Sequence, residues 1–144
     1  MAVSKINTNS LGLTISSGTG TQNPTANNTT YDLVTGLTIP DNALIIVGFE
    51  FAANSGQNGD GGDDATCWCL ITNSSNTIVD GNLGSVMRNE NPKAGYRNTI
   101  GQVMYFNDTG AALTSHKIRV QQYAGGTFNA ATATIKYRII GFNE

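Results

Sequence analysis

From Ala133 to Ile139 the chain alternates without a break: Ala133, Ile135, Tyr137 and Ile139 are apolar, while Thr134, Lys136 and Arg138 between them are polar. A period of two places successive side chains on opposite sides of an extended strand, so such a stretch buries one face and wets the other. The same pattern recurs. Tyr31, Leu33, Leu37 and Ile39 share one face, as do Ile45, Val47, Phe49 and Phe51, and as do Val103 and Tyr105. No stretch of helical length carries an amphipathic 3.6-residue period. The best attempt, residues 82–88, is short and interrupted by Gly84. Strand-type runs bounded by Gly, Asn, Asp or Pro fall at residues 11–16, 31–39, 43–52, 65–72, 77–80, 99–107, 115–123 and 131–142. About eight strands in a 144-residue chain predict an all-β fold, an antiparallel sandwich or barrel. Residues 17–30 lack apolar side chains and read as an exposed loop or arm. The expected organisation is an arm with a first short strand at residues 1–30, then one β-domain at residues 31–144.

Several strands are apolar on both faces. Leu44 and Ile46 stand opposite the Ile45–Val47 face, and Ile100, Met104 and Phe106 stand opposite Val103 and Tyr105. The last strand ends apolar on both sides at Ile140 and Phe142. A sandwich core covers only one face of each sheet. The second face needs a loop or another subunit, and the sequence favours the subunit over a merely greasy outer sheet. Subunit-interface candidates are therefore Ile100, Met104, Phe106, Ile140 and Phe142.

Charged residues make up 12% of the chain, about half the usual ~25%, and the net charge is −2. Eight scattered Lys and Arg make no basic patch, so nucleic acid is not an expected partner. The N-terminal residues hold no apolar run of signal-peptide length, and no stretch approaches the ~20 apolar residues of a membrane span. Synthesis in a cytosol, without export by a signal peptide and without a membrane partner, is the expectation. The sequons at Asn73 and Asn107 then reflect Asn-rich composition.

The stretch SGQNGDGGDDATCWC, residues 55–69, invites a metal or redox reading. Asp60, Asp63 and Asp64 are weak calcium candidates, because clustered carboxylates suit a hard cation. Their spacing is not that of an EF-hand loop, and a Gly/Asp-rich connection between strands is the favoured reading. Cys67 and Cys69 make neither a C-x-x-C motif nor a zinc set. On a strand their positions are ~6.5–7 Å apart, near the limit for an undistorted disulfide. Buried free thiols are expected, with Trp68 on the opposite face under a loop, in a subunit contact or in a sugar platform.

His116 is the only histidine, and no nucleophile motif accompanies it. Glu50, Asp80, Glu90 and Asp108 supply carboxylates without a legible pairing. Gly125-Gly126 reads as a turn, and residues 88–98 as a solvated polar loop. No catalytic constellation, cofactor or metal is expected, and the chain reads as no enzyme.

Two resemblances add to this reading. LTIPDNALIIVGFEFAA, residues 37–53, resembles the turn and third strand of the tumour-necrosis-factor/C1q-like jelly roll. HKIRVQQYAGGTFNAATATIKYRIIGF, residues 116–142, resembles the closing strand pair of that fold. The opening MAVSKINTNSLG is similar to the start of many structural proteins of marine tailed bacteriophages. Together they imply a jelly-roll β-sandwich in a phage virion, a homotrimeric decoration (cement) protein on the capsid exterior, made in the host cytoplasm. The implied partner is the major capsid protein, with Lys5, Ile6, Leu11 and Leu13 of the polar arm as capsid-contact candidates. The alternative is a receptor- or carbohydrate-binding module of a tail or head fibre, meeting a host surface glycan through loop aromatics such as Trp68, Tyr96, Tyr123 or Phe128.

Overall fold

A computed structural model describes residues 13–23, 29–55, 65–79, 96–124 and 128–142. Seven strands run through them: β1 (Leu13–Gln22), β2 (Thr29–Ile39), β3 (Ala43–Ser55), β4 (Ala65–Thr72), β5 (Tyr96–Asn107), β6 (Leu113–Ala124) and β7 (Phe128–Gly141). They form a four-stranded sheet in the order β1-β7-β3-β5 and a three-stranded sheet in the order β2-β6-β4, every pairing antiparallel. Strands distant in sequence are neighbours in space, and successive described strands alternate between the two sheets without exception. That is the winding of a jelly-roll sandwich. Among the described residues no helix is long and apolar enough to cross a membrane.

The core lies where alternation puts it. Ile45, Val47 and Phe49 of β3, Ala133, Ile135 and Ile139 of β7 and Val103 of β5 are buried from one sheet. Leu37 and Ile39 of β2, Cys69 and Ile71 of β4, and Ile118 and Val120 of β6 meet them from the other. Burying a Val, Leu, Ile or Phe stabilises by ~1.5–3 kcal/mol, so this interleaved layer dominates the favourable side of folding.

Three segments differ from the sequence expectation. β1 runs on to Gln22, so residues 17–22 are strand and not loop. The signal is absent because the inward positions are glycines. A Cβ on Gly18 would stand 2.8 Å from the Tyr137 ring, and one on Gly20 would stand 2.5 Å from the Leu33 carbonyl oxygen. A neighbour's ring and backbone fill the space that apolar side chains fill elsewhere. At the other end, Tyr96–Asn98, read as loop, already pair with β3. Of the run at 77–80, the described residues 77–79 provide an isolated bridge, Thr72 to Ile78, and Asp80 lies outside the described residues. Asn73 closes a tight turn there, its Oδ1 accepting from the Thr77 N–H at 2.9 Å, and Asn76 takes a positive φ of 68°.

Candidate functional site

The two sheets differ on their outer sides. On β4 of the three-stranded sheet the outward residues Leu70 and Thr72 are buried. The outer face of the four-stranded sheet is open. Register sets its side chains in rows across β7, β3 and β5. The first is Ile140–Leu44–Phe106, the second Arg138–Ile46–Met104, the third Lys136–Gly48–Gln102 and the fourth Thr134–Glu50–Ile100. Phe142 continues β7 beyond the first row, and its ring meets Phe106 edge-to-face with centroids 6.0 Å apart. Met104 is 51% exposed, Phe106 43% and Phe142 41%. Large apolar side chains this open, contiguous and rigidly paired mark an interaction surface more than ordinary surface scatter.

The register brings Met104, Phe106, Ile140 and Phe142 together at one end of the face. Ile100 stands apart in the fourth row. The half-buried Leu44 and Ile46 complete the patch.

The corner beside this patch is held by a residue whose role the sequence did not reveal. Asn107 ends β5 and is fully buried. Its Nδ2 lies 2.9 Å from each of the Ile39, Pro40 and Ala111 carbonyl oxygens, to which it donates. Its Oδ1 accepts from the Thr109 hydroxyl at 2.7 Å and the Thr109 N–H at 3.2 Å. Its carbonyl accepts from the Asn42 N–H at 2.8 Å, and the Asn42 carbonyl in turn accepts from the Phe142 N–H at 2.9 Å. Asn42 sits at φ 54°, a left-handed conformation that Asn tolerates. Asp41 adds a bond from the Gly110 N–H at 2.8 Å. This network ties the β2–β3 turn, the β5–β6 connection and the end of β7 together, and so fixes both phenylalanines. The only sequence signal was the sequon Asn107-Asp108-Thr109, whose asparagine is buried in this network and not displayed to solvent.

Elsewhere the structure is structural in character. Cys69 is free and buried, and burial pushes its thiol up to about 12. The Cys67 side chain lies outside the described residues. Trp68 is half-buried on the face opposite Cys69, as the strand period requires, and its Nε1 has no hydrogen-bond partner among the described residues. His116 is buried, with Nδ1 3.0 Å from the Thr114 carbonyl oxygen, to which its N–H donates. On the three-stranded sheet Asp32 accepts from the Arg119 Nε at 2.6 Å and lies 3.5 Å from the Lys117 Nζ, an ion-pair trio bridging β2 and β6. The calcium candidates Asp60, Asp63 and Asp64, the turn Gly125-Gly126, residues 88–95 and the arm residues Lys5, Ile6 and Leu11 lie outside the described residues. Leu13 opens β1 opposite Gly141. Among the described residues no cluster of His, Cys, Asp or Glu is suited to hold a metal ion.

The architecture defines the class: an all-β jelly-roll sandwich with a sheet face that is apolar at one end and exposed among the described residues. No protein-family model matches the chain, and no curated protein matches it in sequence. Solved structures do. A chain of the infectious bursal disease virus T13 particle superposes with a TM-score of 0.55 at 11% identity, over 88% of this chain and 31% of that one. A chain of the Gx strain of that virus gives 0.53 at 13% identity, over 88% and 32%. A chain from the acid-stable capsid structure of Helicobacter pylori bacteriophage KHP30 gives 0.49 at 12% identity, over 92% of this chain and 97% of that one. The chain spans about a third of the length of the bursal disease virus chains it matches. At these identities the likeness is one of fold alone.

Proposed function

We propose that this chain is a structural protein of a phage virion, a decoration protein that associates with copies of itself as a trimer and reinforces the capsid exterior. The observation that carries the reading is the open apolar end of the four-stranded sheet, Leu44, Ile46, Met104, Phe106, Ile140 and Phe142, in a sandwich of the kind found in virus particles. The resemblance to tumour-necrosis-factor/C1q-like domains supports the trimer. The arm residues Lys5, Ile6 and Leu11, together with Leu13, are the proposed reach toward the major capsid protein.

Magnitudes favour a lattice role over a solitary dimer. Three large side chains left about half exposed gain roughly 1 kcal/mol each on burial, ~3 kcal/mol per copy. Association costs an estimated ~4–15 kcal/mol in lost rigid-body freedom. The patch needs the rest of the face, and repetition by symmetry, to hold. The fibre-tip, glycan-binding reading has less support, because Trp68, Tyr96, Tyr123 and Phe128 all stand in strands and not in loops.

The test is light scattering on the purified chain, followed by cosedimentation with capsids that lack it. A trimer that pellets with capsids supports the reading. A chain that stays single at high concentration, or a trimer that leaves capsids in the pellet alone, refutes it.

A further inference from the structure

Gly48 occupies the middle of β3, the strand paired on both sides. Glycine there weakens a strand, and it usually marks a bulge, a strained conformation or a close approach of another chain. Nothing among the described residues requires it. Its register with β5 and β7 is unbroken, so there is no bulge. No positive φ is found at this position. Among the described residues a Cβ would meet only the Lys136 carbonyl oxygen, at 3.9 Å. The missing side chain instead opens the outer face. Two adjoining hollows of about 210 and 200 Å³ share Gly48 and Lys136, one extending to Glu50 and Thr134, the other to Ile46 and Arg138.

Two cations, Lys136 and Arg138, stand along the β7 side of this notch, with Glu50 at its far end, and the aromatic end of the same face carries an acid. Lys136 and Arg138 are exposed, and Asp108, two residues beyond Phe106, is exposed as well. Among the described residues none of the three is in an ion pair. A projecting Phe106–Phe142 edge with an acid beside it therefore matches, in shape and charge, an apolar notch flanked by two cations. An aromatic ring against Lys or Arg adds a cation–π contact.

Knob and notch cannot meet within one subunit. Gly48 pairs with Gln102, four residues from Phe106, a separation of about 14 Å along the sheet at ~3.4 Å per residue. A two-fold stack of two such faces is disfavoured as well. The Arg138–Ile46–Met104 row lies midway between knob and notch, so a two-fold axis through it sets Arg138 beside the other copy's Arg138. A head-to-tail contact avoids that clash, and such a contact closes into a ring where the rotation between copies closes, at 120° into a trimer. We infer that a second copy of this chain is the occupant: the Phe106–Phe142–Asp108 edge of each subunit seats in the Gly48–Lys136–Arg138 notch of the next. This rests on the self-associating role proposed above and specifies its contact.

The experiment joins cysteines placed at the two surfaces. In Gln102→Cys/Ile140→Cys, which flanks the contact and leaves Gly48, Phe106 and Phe142 in place, mild oxidation yields covalent trimers on denaturing gels, each copy bonded to the next. The two rows lie about 14 Å apart along the sheet, which excludes an intrachain bond, since a disulfide spans at most ~7 Å between Cα atoms. The unsubstituted chain, treated alike, controls for Cys67 and Cys69. Gly48→Val is the companion variant. It fits the strand, so its circular dichroism matches the parent, but it fills the notch and gives a single subunit by light scattering. Covalent dimers alone, or no crosslink in a chain that still scatters as a trimer, overturn this contact and leave the assembly role standing. A Gly48→Val chain that still forms the trimer overturns the contact too. An unsubstituted chain that remains single overturns both.

Discussion

Replacing Asn107 with Ala removes the side chain that joins the β2–β3 turn to the β5–β6 connection at one end of the sandwich. The side chain donates to three carbonyls and accepts from Thr109, and the Ile39 carbonyl lies in a buried bond. Its amide has only two N–H groups to share among three carbonyls, and its oxygen accepts two bonds, so at most four independent hydrogen bonds are lost. Each is worth ~1 kcal/mol, and water reaches the part-buried partners after truncation, which lowers the total. The expected cost is about 2–3 kcal/mol. At ~2–4 °C per kcal/mol for a domain near 150 residues, the midpoint of thermal unfolding falls by roughly 4–12 °C. Asn107→Asp is isosteric and isolates the donor. It turns an oxygen toward three carbonyl oxygens, so it destabilises at least as much at pH 7. Crowding by carbonyls and burial raises the pKa of that introduced carboxyl in the folded state. Its deficit therefore shrinks below the unfolded carboxyl pKa of ~3.9, where the protonated group donates one bond, and grows as pH rises. Urea unfolding of both variants at pH 7 and the Asp variant at pH 4 reads these differences. A loss under ~0.5 kcal/mol for Asn107→Ala, or an Asp variant as stable as the parent at pH 7, would refute the hub.

Three further outcomes are expected. Asp32→Ala leaves Lys117 and Arg119 facing each other and costs about 0.5–1 kcal/mol in urea, since the Asp32 side chain is 36% exposed; the difference narrows in 1 M salt. Cys69 escapes iodoacetamide in the native chain and is alkylated only after denaturation, as peptide mapping by mass spectrometry will show. Because its folded pKa is about 12 against an unfolded 9.0, its contribution is full below pH 9 and is lost as pH rises towards 12. That loss approaches ~1.4 kcal/mol per pH unit, and Cys69→Ala shows a correspondingly shallower alkaline decline in stability. Gly20→Ala sets a methyl 2.5 Å from the Leu33 carbonyl oxygen, so backbone must move; a cost of about 1–3 kcal/mol is expected in thermal unfolding, and a neutral result would contradict the close approach of β1 and β2.

Much of the fold was legible because strand alternation is a local property. Ile135 and Ile139 against Lys136 and Arg138, or Val103 against Met104, can be assigned to a face from neighbours two residues away, and the structure buries and exposes them accordingly. Ile140 and Phe142 were readable as surplus apolar surface for the same reason. β1 was hidden because its inward positions are Gly18 and Gly20, and the groups that fill their space, the Tyr137 ring and the Leu33 carbonyl, come from β7 and β2.

By itself, then, the amino-acid order determined that this is a two-faced β-protein with more apolar surface than one sandwich layer needs, since both follow from a period of two. Only the tertiary structure decided that Met104, Phe106, Ile140 and Phe142 adjoin, that Asn107 is a buried hub and not a displayed sequon, and that Gly48 is a notch beside two cations. Those depend on which residues of β3, β5 and β7 stand side by side. That register joins positions up to about a hundred residues apart, and no local period carries it.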